Sequence, residues 1–223
     1  LAALLILIMM VILPLLTLGL VSIMPYYQTP KWHILRSLTV RHYVSMLQDD
    51  RIYRAFQNSL FLAVVGATVC ILFATVISYL TVKTRIRGRG LLESLAFIPW
   101  AFPGAALAIG ILWAYINFPV PIYATVWILM VAYITRYLPY GLRSVSGTMV
   151  QIHTDLEEAS AACGAGFFAT FRRVLVPLVS RGMLAGWIVL ATFFIREFSM
   201  SIFLYSPGAE PLGPLLYFYY QEG

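Results

Sequence analysis

The chain has 223 residues, 61% of them hydrophobic and 11% charged, with a mean hydropathy of +0.86. That composition excludes an ordinary soluble domain and places the chain in the membrane class. The net charge of +6 is clustered beside apolar runs with no soluble binding module attached, which points to the lipid bilayer as partner and to no nucleic acid.

Five helical spans are expected: Leu1–Met24, Ala55–Val82, Leu91–Asn117, Ile122–Pro139 and Gly182–Tyr205. These runs are too long and too uniform for barrel strands, and lipid-facing backbone must satisfy its own hydrogen bonds. The first is free of charge and, at ~1.5 Å per residue, about 36 Å long, against a hydrocarbon core of about 30 Å. It lacks the basic leader and small-residue cleavage site of a signal peptide. Because it opens on Leu rather than Met, further residues are expected upstream.

Lys83, Arg85, Arg87 and Arg89 follow the second span within seven residues, which assigns the Lys83–Gly90 turn to the cytoplasm. The uncharged Phe118–Pro121 turn then lies outside, and Tyr140–Arg181, with Arg143, Arg172, Arg173 and Arg181, returns inside. On this count Pro25–Arg54 is external although it carries Lys31, Arg36, Arg41, Arg51 and Arg54, against the charge rule. The two inner loops agree with each other and set the orientation. The tail Pro207–Gly223 reads as an external interfacial loop with aromatic anchors, and a further span is expected beyond it.

Cys70 falls in a span and Cys163 in a polar loop, so no disulfide is expected between them. His33, His42 and His153 are scattered without metal-ligand spacing. No metal, cofactor or catalytic site is indicated.

Three places carry polar or breaking residues that lipid packing does not ask for. Pro99, Pro103 and Gly104 interrupt the third span, opening carbonyls to a cavity, allowing a hinge, or leaving a static kink filled by neighbours. Arg196 and Glu197 are adjacent charges in the fifth span, each costing about 3 kcal/mol on insertion scales. They line a pathway, or they snorkel at the span's outer end. Helical neighbours point about 100° apart, so Glu197 pairs better with Ser201 as a lining set. Gly182 and Gly186 form a small-xxx-small pair for close helix contact.

The third place is the loop from Asp155 to Pro177. Thr154 with Glu157, or Asp155 with Glu158, fits a capping box, and acids at a helix start complement its dipole. A short helix over Leu156–Cys163 is expected, stopped by Gly164 and Gly166. A second follows with Phe167, Phe171, Val174 and Leu178 on one face, and Pro177 marks a bend or a new start. Three acids in four residues would be repelled by anionic lipid. A docking helix for a protein is the better reading.

The spacing resembles the EAA loop of permease subunits of ATP-binding-cassette importers: Glu158–Ala159–Ser160, then Gly164, then Val174, Val176 and Pro177. Ser160 replaces an alanine, and two valines replace isoleucine and leucine. Asn58–Ser59–Leu60 and Ile98–Pro99–Trp100 extend the likeness along the chain. The resemblance implies an all-α polytopic bundle of the type I importer kind, with five of six spans in hand. Residues 1–223 then form one transmembrane permease domain with both ends truncated, and 140–181 is its cytoplasmic coupling loop. It implies contact with a cytoplasmic ATP-binding-cassette ATPase dimer through Asp155, Glu157, Glu158, Ala159, Gly164 and Pro177. A second permease half or subunit and a periplasmic or extracellular substrate-binding protein complete the partners, in a bacterial inner membrane.

The sequence has no G-x-x-x-x-G-K-[ST] phosphate loop, so ATP is expected to be used by the partner subunit, and this chain is a transport subunit rather than an enzyme. Pathway candidates are Glu197, Ser201, Arg196, Pro99 and Pro103. The segment Arg196–Gly208 is most similar to ferric-iron importer permeases, which implies ferric iron as cargo. Permeases for polyamines, thiamine and aminophosphonates share much of the pattern. An ion-gradient-driven secondary transporter is the competing class; it accounts for the charges of the fifth span and not for the acidic loop.

Overall fold

In the computed structural model, which describes residues 2–26, 37–117 and 119–222, every regular element is a helix. The expectations for Lys31, His33, Arg36 and Phe118 lie outside the described residues. The described chain divides into two compact units, residues 1–53 and 54–223.

In the first unit, α1 (2–22) is apolar and none of its window Leu5–Ser22 is buried. The next described helix is α2 (Arg41–Leu47). Thr39 N donates to Ile23 O (2.7 Å), His42 Nε2 meets Met24 O (3.1 Å), and Ser22 Oγ pairs with Tyr43 Oη (2.6 Å). These bonds tie residues 22–24 at the end of α1 to residues 39–43.

The second unit is built on three long helices, each packed against the other two: α3 (Asp50–Val82), α6 (Val126–Met149) and α8 (Phe167–Ile195). Leu62, Cys70, Ile71 and Ala74 of α3 meet Leu129, Tyr133, Leu142, Val145 and Met149 of α6, and Val179, Leu190 and Phe194 of α8. The Gly182–Gly186 pair sets the spacing of α8 from its neighbours. A Cβ on Gly186 would lie 2.8 Å from Ile71 Cδ1 and 2.9 Å from Ser144 Cβ, and Ser144 Oγ donates to Gly182 O at 2.8 Å.

Several helices run past their expected ends. The fourth span, expected to stop at Pro139, continues to Met149 with Pro139 buried inside it. Ending there would strand backbone groups, each costing several kcal/mol in lipid, whereas proline removes one hydrogen bond at about 3 kcal/mol. The last span starts at Phe167 rather than Gly182 and ends at Ile195 rather than Tyr205. Pro177 falls just after a π-helical turn, Phe171–Leu175, where the hydrogen-bond register changes; that wider turn absorbs the proline and the helix runs on. Much of the expected 140–181 loop is therefore helical.

The third span is two helices, α4 (Arg89–Ala101) and α5 (Gly104–Ile116), bent by 111° at Phe102–Pro103. After α8 come the short α9 (Ser201–Leu204) and α10 (Leu212–Glu222), which replaces the expected terminal loop. Pro214 sits in the first turn of α10, where a missing N–H costs nothing. Among the described residues three helices are long and apolar enough to cross a bilayer, or four if the bent pair is one span; α6 is long enough but carries Arg136 and Arg143.

Candidate functional site

At one end of the bundle α7 (Asp155–Ala162) stands out from the core with no buried residue. The capping box does not form. Thr154 is itself helical (φ −65°, ψ −25°) and its side chain caps nothing; its carbonyl instead accepts from Glu157 N (2.9 Å) and Glu158 N (3.1 Å). Glu157 is drawn off by Lys83 at the end of α3: Nζ lies 3.1 Å from Oε1 and donates to Ile152 O at 2.6 Å. The lysine side chain is only 4% exposed, so the pair is a clasp between α3 and the start of α7 rather than a surface contact.

Gly164 ends α7 as expected, with φ +82°. Gly164 N donates to Ala161 O (2.9 Å) and Ala165 N to Ser160 O (3.1 Å), the paired bonds of a Schellman cap. Ser160 Oγ also meets Thr170 Oγ1 at 2.9 Å, tying α7 to the first turn of α8. The serine that departs from the alanine of the motif thus has a contact alanine could not make. Asp155, Leu156, Glu158, Ala159 and Cys163 stay exposed, as does Pro177 one register change up α8. Tyr79 packs edge-on against Phe167 (5.6 Å) and Phe171 (5.4 Å), so α3 holds the base of α8 as well.

The other candidates meet at a cleft beyond the end of α8. The helix stops at Ile195, and both Arg196 and Glu197 stand in the cleft wall, with Arg136, Tyr137, Tyr140 and Phe193 opposite. Glu197 is 5% exposed and fully engaged. Tyr137 Oη donates to Oε2, while Ser199 Oγ (2.7 Å) and Met200 N (2.9 Å) donate to Oε1. It caps the turn into α9. Ser201, expected beside it in the wall, is buried behind it, donating to Glu197 O (2.8 Å) and bonded to Tyr133 Oη. The helical-neighbour argument that paired Glu197 with Ser201 fails here because residues 196–200 are not helical.

The Pro99–Pro103 break reaches the same cleft through one arginine. Phe102 is extended (φ −92°, ψ 143°), and its carbonyl accepts from Arg136 Nη1 at 3.1 Å. A Cβ on Gly104 would come within 2.7 Å of Ser199 Oγ and 3.1 Å of Arg136 Nη1. Trp100 Nε1 donates to Tyr140 Oη (3.0 Å). The cleft encloses about 430 Å³, and a second hollow of about 270 Å³ adjoins it through Tyr140, lined also by Phe97, Trp100 and Arg143.

Arg136, Tyr137 and Lys83 were not among the expected site residues. The signal for Arg136 is in the sequence: Tyr133, Arg136, Tyr140 and Arg143 recur at three- and four-residue steps, a polar stripe on one face of an otherwise apolar helix.

Residues 71–221 match the family described as binding-protein-dependent transport system inner membrane component. The spermidine/putrescine transport system permease protein PotC of Escherichia coli (strain K12) is 25% identical over 182 residues, covering 82% of this chain and 68% of that protein. The putative ferric transport system permease protein FbpB 1 of Haemophilus influenzae is 26% identical over 171 residues, 75% of this chain but 27% of that protein. Among solved structures, a bacterial ABC transporter that imports the acidic polysaccharide alginate superposes with a TM-score of 0.75 at 16% identity, over 100% of this chain and 82% of that one. The MetNI methionine ABC transporter gives 0.54 at 19% identity, over 78% and 84%. At these identities the structural likeness speaks for the fold alone.

Proposed function

Because the chain belongs to the family of binding-protein-dependent transport system inner membrane components, we propose that it forms the membrane pathway of an ATP-driven importer in a bacterial inner membrane. It is a permease, a transport component rather than an enzyme, and ATP is hydrolysed on a separate ATPase dimer. A second permease half and an external substrate-binding protein complete the assembly.

The exposure of α7 carries the reading. An eight-residue helix with three acids in its first turn and no buried residue is held at both ends, by Lys83 and by the Ser160–Thr170 contact. Asp155, Glu158, Ala159 and Gly164 face outward for the ATPase. Glu157 keeps α7 on α3, and Pro177 lies where α7's motion enters α8. That helix, 29 residues and about 43 Å at 1.5 Å per residue, runs from the docking end to the Arg196–Glu197 cleft. Closure of the ATPase pair would thereby move the cleft wall. An ion-gradient-driven transporter leaves this helix without a role.

Affinity purification of the intact importer should recover an ATP-binding-cassette ATPase, and Glu158→Lys should cut recovery by about tenfold, the loss of one central contact worth about 1.4 kcal/mol. Undiminished recovery contradicts the docking role.

The cargo we propose is ferric iron, supported by the Arg196–Gly208 segment and by the ferric permease relatives. Polyamine import is the second reading, favoured by the PotC relatives, of which the chain covers more.

A further inference from the structure

We propose that the cleft bounded by Arg136, Tyr137, Tyr140, Phe193, Arg196 and Glu197 is a cargo site that binds its ligand through an oxyanion, a carboxylate or a phosphonate. The inference rests on the permease reading and deepens it by fixing the charge of what passes.

Two guanidinium groups face this cleft against one carboxylate, and a third, Arg143, lines the adjoining hollow. Of the chain's nine acidic residues, Glu197 alone stands in the wall. Its carboxylate already accepts from Tyr137, Ser199 and Met200, three of about four acceptor sites, so it serves mainly to hold the wall and the two guanidinium groups outnumber it. Among the described residues, neither Arg136, Arg143 nor Arg196 takes part in an ion pair.

Arginine in a membrane-spanning helix is costly and demands a partner or water. Arg136 gives a bond to Phe102 O, interacts with the Tyr137 hydroxyl and lies 5.7 Å from the centre of that ring, while a guanidinium carries five donors in a planar fork, so most remain for a ligand. That fork matches the two oxygens of a carboxylate or phosphonate. The Phe102 bond orients it, and Gly104 leaves it room, since a Cβ there would lie 3.1 Å from Nη1.

The aromatic wall gives the rest of a small ligand an apolar seat. Tyr137 stacks on Phe193 (5.3 Å) and Tyr140 meets Phe193 edge-on (4.8 Å). Such rings also attract cations, but a polyamine entering here meets two fixed positive charges and a single carboxylate that already takes three hydrogen bonds. A metal ion would cross this site as an anionic chelate and not as a bare cation.

Arginine modification by phenylglyoxal tests this on the assembled transporter in lipid nanodiscs. The rate at Arg136 and Arg196 is read by peptide mass spectrometry against the exposed Arg172 as control. Probes are citrate, methylphosphonate and spermidine at matched ionic strength. Citrate or methylphosphonate should slow modification of Arg136 by about fivefold or more, the factor 1 + [L]/Kd at four times Kd, and leave Arg172 unchanged. Citrate protection alone identifies a carboxylate site, and methylphosphonate alone a phosphonate site. Protection by spermidine, equal slowing at Arg172, or no protection by either anion overturns the proposal. So does an Arg136 that is unreactive without any probe, because a partner's carboxylate then covers it. ATPase association is scored on the same sample, so that loss of the permease reading is seen separately from loss of the oxyanion site.

Discussion

Lys83 stands in the sequence as the first of four closely spaced cations, and the positive-inside rule accounts for it without further structure. In the fold it leaves that group: it is 4% exposed and clasps Glu157. Nothing in local sequence separates it from Arg85, because the distinction arises from α7 folding back over the end of α3. Removing Glu157, whose side chain is 21% exposed, leaves the buried Lys83 ammonium without its partner, at about 1–3 kcal/mol, less than for a fully buried pair. Glu157→Gln should therefore lower the thermal midpoint of the detergent-solubilised protein. Lys83→Met with Glu157→Leu should recover most of the loss, and strictly additive losses would show that the two residues act independently. Gly164 was legible, since a helix followed by glycine predicts a left-handed cap. Its φ of +82° makes Gly164→Ala cost about 1–2 kcal/mol, to be seen as faster hydrogen exchange in α7 alone.

Helix ends were the least legible elements. Pro139 reads locally as a stop and Pro177 as a bend or a new start, yet both helices run through, because in lipid an ended helix exposes more unsatisfied backbone than a proline removes. The Pro99–Pro103 break was legible as an interruption, but not its angle of 111° or the arginine that meets its open carbonyl. The Gly182–Gly186 pair read correctly as a contact seam. Gly186→Val should destabilise the bundle by about 1–3 kcal/mol through overpacking, because Ile71 and Ser144 leave no space. Gly166→Ala, with nothing within 4 Å of its added carbon, should leave the thermal midpoint within about 1 °C. An equal shift in both variants would contradict the close approach of α8 to α3 and α6.

At the scale of the whole molecule, the two ends of the second unit are built differently. At one, Lys83, Ile152 and Glu157 gather beneath an exposed acidic helix. At the opposite end of α3, Asn58 Nδ2 donates to Gly208 O (3.2 Å) and Glu210 O (3.1 Å), and Leu212 N donates to Ser59 Oγ (2.8 Å). The approach to α10 is thereby latched across the bundle. The alternating sides assigned from charge agree with this grouping, since 83–90 and 150–166 fall at one end and 119–125 and 206–212 at the other. The exposed acidic helix was legible because its acids have no place in lipid. The cleft was not, because its wall is assembled from residues sixty positions apart, as with Tyr137 and Glu197.

The claim that α7 seats an ATPase is tested most directly from its own cysteine. Cys163 is exposed at the end of α7, and Cys70 is buried in the core, so of the two cysteines in residues 1–223 a thiol cross-linker added to native membranes reaches the one on α7. The account predicts a covalent product of this chain with an ATP-hydrolysing subunit, formed in the wild type and lost in Glu158→Lys. Efficient reaction of Cys163 without any ATPase adduct would contradict it.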